Sequence, residues 1–111
     1  MTKKGKKYLS DILIAIELIE KFTAGTDEFS QYQSDSKTKS AVERQLSIVG
    51  EAVNNYRKLE ESFELTNTRQ IVSFRNRIIH SYDNIDDTIV WTILQNHLPK
   101  LKEEAENGLK R

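Results

Sequence analysis

Apolar residues recur at helical spacing along most of this chain, and that periodicity limits what it can fold into. Leu9, Ile12, Leu13, Ile16 and Ile19 follow the i, i+3, i+4, i+7 rule of a helix with one buried face. The spacing predicts a first helix over 8–24. Val42, Leu46, Val49, Val53 and Tyr56 repeat the pattern and predict a third helix over 37–59. A fourth stripe holds Ile71, Phe74, Ile78, Ile79 and Tyr82, and a fifth holds Ile89, Val90, Ile93, Leu94, Leu98 and Leu101. Only four glycines and one proline punctuate 111 residues, too few for the turns of a β-sandwich. The expected fold is all-α, a four- to five-helix antiparallel up-and-down bundle in a single domain, 1–111.

Local signals place the ends. Gly25 suits the position just past the first helix. Thr26 is expected to cap a short second helix over 27–33, and QSDSKTKS reads as a loop or a ragged helix start. Gly50 falls inside the third helix, where it costs about 1 kcal/mol against alanine. Close approach of another helix would explain it. Thr66 or Asn67 can cap the fourth helix. Asp86 can cap the fifth, with Ile85 and Val90 at the positions of a hydrophobic staple. Pro99 predicts a kink or break near 97–99, and the polar tail from about 102 is expected to fray. Ile14 and Leu18 lie off the first stripe, four residues apart. They suit either a helix contacted on two sides or an oligomer contact.

Composition removes several classes of function. Seventeen basic residues balance seventeen acidic ones, so any nucleic-acid role needs a local basic site. With no cysteine there is no disulfide scaffold and no thiolate zinc site. That also suits a reducing cytoplasm, the expected location. No apolar run reaches the roughly 20 residues of a membrane span.

The informative stretch is RNRIIHSYDNID, 75–86. At about 100° per residue, Arg75 falls in the middle of the fourth helix's core stripe, about 20° from Tyr82. A guanidinium there cannot shed its charge, and unpaired burial is costly. It must meet a carboxylate (Glu43 or Glu51 on the third helix), the protein surface, a subunit interface or a bound anion. Glu43, Ser47 and Glu51, with Arg44 nearby, otherwise read as a solvated face. Asn76 and His80, four residues apart, share the other side. His80 lies about 140° round from Arg75 and about 7.5 Å further along. One straight helix does not bring the two together. Unwinding near His80, curling of Arg75 or a dimer axis would be needed.

The chemistry can be bounded. The sequence carries no Gly-rich phosphate loop, no HExxH and no cysteine nucleophile. Asp86 and Asp87 read as cap and first turn, not as metal ligands. A histidine and an arginine together suit phosphodiester cleavage. An imidazole moves protons near neutrality, and a guanidinium holds phosphate oxygens and stabilises added charge. In RNA the 2′-OH supplies the nucleophile.

The segment Arg75-Asn76-Arg77-Ile78-Ile79-His80-Ser81-Tyr82 resembles the R-x-x-x-x-H signature, continued as H-x-Y, of the HEPN superfamily and its HepT-like toxins. NIDDTIVW and AVERQLSIVGEAVNN resemble the family's segments after and before that motif, in the same order. The resemblance implies a dimerising all-α bundle. Its activity would be metal-independent endoribonuclease action at a cleft built from two R-x-x-x-x-H segments, with no cofactor. It implies His80 as general base or acid, Arg75 as phosphate binder, and Asn76 as an orienting group. It also implies a type VII-like toxin–antitoxin pairing. A minimal nucleotidyltransferase antitoxin would transfer AMP to Tyr82. A reading from another class is a non-catalytic nucleotide- or substrate-binding subunit that assists a separate nucleotidyltransferase. The balanced charge leans toward it, and the intact Arg75/His80 pair leans away.

Overall fold

The computed structural model of the chain describes residues 1–80 and 85–111. Its elements are α1 (Lys3–Phe22), α2 (Phe29–Gln33), α3 (Ser36–Lys58), α4 (Thr68–His80), α5 (Asp87–Thr92), a π-helical turn (Ile93–His97) and α6 (Leu98–Leu109). Among the described residues there is no strand, as the periodicity predicts. No helix is long and apolar enough to cross a membrane.

The core is built from the predicted stripes, except that Ile79, expected on the core side of the fourth, is 47% exposed because α4 turns Phe74 and Ile78 inward instead. Leu9, Ile12, Ile16 and Ile19 of α1 meet Val42, Leu46, Val49, Val53 and Tyr56 of α3, and Leu98, Leu101 and Ala105 of α6. α1 packs between α3 and α6, and α4 packs against the outside of α3. α2 joins α3 to α5, where Phe29 meets Trp91 edge-on and Tyr32 packs against it at a tilt, with ring centroids 6.3 and 5.7 Å away. Near the start of α4, the Tyr56 hydroxyl donates to the Phe63 carbonyl at 2.6 Å, pinning the α3–α4 loop.

Several ends differ from the sequence expectation, each for a local reason. α1 begins at Lys3, because the Thr2 hydroxyl accepts from the Gly5 amide at 3.0 Å and caps the helix. It ends at Phe22, with Gly25 two residues beyond the Thr23 cap at φ 87°. Thr26 does not cap α2. Glu28 occupies that position, and the Gln31 side chain turns back to accept from the Asp27 and Glu28 amides. α3 is capped by Asp35, which accepts from the Thr38 amide. Thr66 is not a cap either. Its amide and hydroxyl donate to Glu104 of α6. Asn67, at φ 56°, precedes α4 and its carbonyl takes the first helical bond, from Ile71. Asp86 caps α5 as expected, accepting from the Thr88 amide at 2.9 Å.

Pro99 disturbs the last helical run one turn earlier than its own position. The π-helical turn at 93–97 widens the backbone there, and Pro99 then sits in the first turn of α6, where its missing N–H is harmless. The tail does not fray. α6 runs to Leu109, with Ala105 and Gly108 buried, and a Cβ on Gly108 would lie 2.6 Å from Leu9 Cδ1. Its outward residues are polar, which made the segment look loose, but every third or fourth residue is small or apolar and docks on α1.

Candidate active site

All the described residues of the signature stretch stand on α4. The helix is amphipathic: Phe74 and Ile78 are buried against the core, while Asn76, Arg77, Ile79 and His80 are exposed. Ile79 is 47% exposed, an unusual state for an isoleucine beside a polar face. Tyr82 lies outside the described residues.

Arg75, expected in the middle of the core stripe, is only half-buried, because the buried face of α4 centres on Phe74 and Ile78. It faces α3 over Gly50. A Cβ at Gly50 would clash with Arg75 Cβ, would lie 2.7 Å from Arg75 Cγ, and would touch the Ile71 carbonyl at 3.4 Å. Glycine at 50 is therefore the condition for α4 to approach α3 at the arginine. This is the close helix contact that the sequence suggested.

The guanidinium gains no carboxylate there. Among the described residues no ion pair joins Arg75 to Glu43 or Glu51, and its buried Nε has no hydrogen-bond partner. Leaving such a donor unpaired costs about 1–3 kcal/mol. Glu51 is exposed and Glu43 half-buried. Glu43 instead faces Tyr32, Asp87 and Lys39. Burial, then the Asp87 carboxylate, pushes its carboxyl above the ordinary glutamate range, while Lys39 opposes the shift. Lys39 itself pairs with Asp87 at 3.0 Å. The Tyr32 hydroxyl is buried without a partner among the described residues, and burial, then Glu43 and Asp87, pushes its ionisation upward.

The structure does not merge Arg75 with His80 inside one chain. α4 is helical through His80, so unwinding before the histidine does not occur. Their separation remains that of a regular helix, about 140° in azimuth and about 7.5 Å along the axis. Among the described residues no cluster of three or more His, Cys, Asp or Glu is placed to hold a metal ion.

These features fit a known group of proteins. The family model for ribonuclease HepT-like proteins matches residues 12–107. The chain belongs to the HepT-like ribonuclease family. A protein of Thermococcus cleftensis named as a probable ribonuclease HepT is 36% identical over 110 residues, covering 96% of each chain. Protein MJ1380 of Methanocaldococcus jannaschii, whose name provisionally makes it an RNase, is 34% identical over 110 residues, covering 96% of this chain and 98% of its own. No solved structure matches the chain.

Sequence reasoning missed a sizeable groove of this HepT-like chain. A groove of about 560 Å³ opens between α4 and the α5–π segment, on the side of α4 away from Arg75. Ile71, Phe74, Ile89 and Ile93 line it, with Arg69, Arg77 and His97 among its polar groups. A signal was present: Gln70, Ser73 and Arg77 form a polar stripe at three- and four-residue spacing beside the apolar one.

Proposed function

We propose that the chain is a metal-independent endoribonuclease of a type VII-like toxin–antitoxin pair, acting as a homodimer on RNA. The observation that carries this reading is Arg75. Its stem packs over Gly50, the residue is half-buried, and its Nε is unpaired among the described residues, on the helix that exposes His80. A cation without a carboxylate partner among the described residues is suited to an anion that arrives with substrate. Family membership makes RNA phosphate the natural choice.

In this reading Arg75 binds the scissile phosphate and stabilises the charge that builds on it. The ribose 2′-oxygen attacks the adjacent phosphorus as the bond to the 5′-oxygen breaks. His80 takes the proton from the 2′-OH or delivers one to the departing 5′-oxygen. The products end in a 2′,3′-cyclic phosphate and a 5′-OH. Asn76, exposed one turn before His80, orients the imidazole or the strand. The angular gap between Arg75 and His80 is the reason for invoking a second subunit, whose α4 can supply the missing group. Ile14, 55% exposed on α1, and Ile79 are apolar surface available for such a contact.

Regulation follows from the same site. A partner nucleotidyltransferase would attach AMP to Tyr82, placing a phosphodiester where RNA phosphate binds.

The test is an RNA cleavage assay with purified protein and no added metal. Wild type should release 2′,3′-cyclic ends and His80→Ala should not. Binding without cleavage by wild type would favour the non-catalytic subunit that the balanced charge suggests.

A further inference from the structure

The groove between α4 and α5 has a shape and a charge that the cleavage reading leaves unused. α4 leans on α3 and makes no comparable contact with α5 or α6 among the described residues, which leaves the groove open. Its volume, about 560 Å³, lies in the range of small-ligand sites. Its walls are apolar, with Ile71 and Phe74 on α4 opposite Ile89 and Ile93. Its rim is basic: Arg69 and Arg77 are exposed, and among the described residues Asp86 is the one acidic group lining it.

The groove also points at the proposed chemistry. Ser73, Arg77 and His80 are spaced four and three residues apart, so they form one exposed row along α4. Ser73 and Arg77 line the groove, and His80 ends the row. Ser73 to His80 is about 10 Å along the helix axis. That is roughly the span of three stacked nucleotides at about 3.4 Å each.

We propose that this groove seats a base of the RNA strand a few nucleotides from the scissile phosphate, with Arg77 and Arg69 holding the backbone at its rim. Flat bases fit an apolar slot flanked by cations, because the base needs an apolar contact and the phosphates need charge. A protein side chain would use the slot equally well but would leave both arginines without a counter-charge. The inference rests on the ribonuclease reading for the position of the strand, though not for its binding.

The test uses full-length His80→Ala protein, so that RNA is not consumed, and a short fluorescein-labelled single-stranded RNA read by anisotropy. A matched set carries one abasic nucleotide at successive positions. In the parent protein one abasic position should weaken binding at least about tenfold. Adding Ser73→Trp, which fills the groove from its exposed rim, should weaken intact RNA similarly and abolish the penalty at that position, a non-additive pair. Arg77→Glu should weaken all strands alike. Equal affinity for intact and abasic strands, or an abasic penalty that survives Ser73→Trp, would overturn the proposal. So would loss of self-association in Ser73→Trp, which would make a second copy the occupant. Wild-type cleavage is measured in parallel. Cleavage without an abasic penalty sinks the groove alone. An abasic penalty without cleavage sinks the ribonuclease reading and leaves the groove as an RNA site.

Discussion

Gly50 and Arg75 face each other across the α3–α4 contact so closely that a Cβ on Gly50 would lie 2.7 Å from Arg75 Cγ. A glycine in one helix thus sets the position of a proposed catalytic arginine in another. Gly50→Ala would gain about 1 kcal/mol of helix propensity. The clash involves Arg75 Cβ, which is fixed to the α4 backbone, so it cannot be relieved by rotating a flexible tip. We expect net destabilisation of about 1–3 kcal/mol from overpacking. Urea unfolding checks it. Cleavage should fall more than stability predicts, because Arg75 moves with α4.

Arg75 and His80 should respond differently to truncation. His80 is exposed at the end of α4, so His80→Ala should keep the wild-type melting temperature and lose about 10²–10⁴-fold in cleavage rate. Arg75→Met keeps an unbranched stem over Gly50 and removes the unpaired Nε. It should be at least as stable as wild type, yet lose about 100-fold or more in rate. Melting curves beside initial rates separate the two effects. A less stable, fully active Arg75→Met protein would contradict both.

Glu43 should make stability fall with rising pH. Its folded-state ionisation is raised, chiefly by burial and then by Asp87. From the ordinary value of 4.5 upward, the unfolded chain therefore binds fewer protons at this site than the folded one. The slope of stability against pH is negative there, and the penalty is fully present once both states are ionised. Glu43→Gln should raise the urea midpoint at pH 7, with the advantage shrinking to nothing below about pH 4.5. Denaturation at both pH values is the check. An advantage that persists in acid would mean that packing, not charge, is responsible.

A stable dimer at micromolar concentration is expected from sedimentation. Ile14→Glu should weaken it if α1 carries the contact, with little effect on the fold, because this side chain is 55% exposed. A wild-type protein that sediments as a monomer and still cleaves RNA would remove the two-subunit site.

Coexpression with a cognate nucleotidyltransferase should add one or more AMP units to the protein, seen by intact mass. Tyr82→Phe should escape both the added mass and the loss of activity. Full modification of the Phe variant would assign the acceptor elsewhere.

The helical stripes were legible because burial imposes its period on residues such as Leu9, Ile12, Val42 and Leu46, whatever their partners. Gly50 was legible as a close approach because glycine inside a helix is costly without one. Its partner was not, since nothing in a linear sequence says which stripe meets which. The missing ion pair of Arg75 was equally hidden. Glu43 has the right charge and the right helix, but it is turned toward Tyr32, Asp87 and Lys39. Thr66 carries a good cap residue type, yet its bonds go to Glu104, 38 positions away. The groove beside α4 was invisible for a related reason: it exists because two stripes do not meet.

The π-helical turn before Pro99 has a consequence for phase. In an unbroken α-helix Val90 and Leu98, eight residues apart, would point about 80° away from each other. A turn that absorbs one extra residue takes back about 100°, leaving the two within about 20°. Val90 is fully buried and Leu98 is 4% exposed. The widened turn therefore works as a one-residue register correction between two amphipathic segments. Deleting a single residue between 93 and 97 would let the run close as a regular α-helix with the two side chains seven residues apart, again within about 20°, so both should stay in the core.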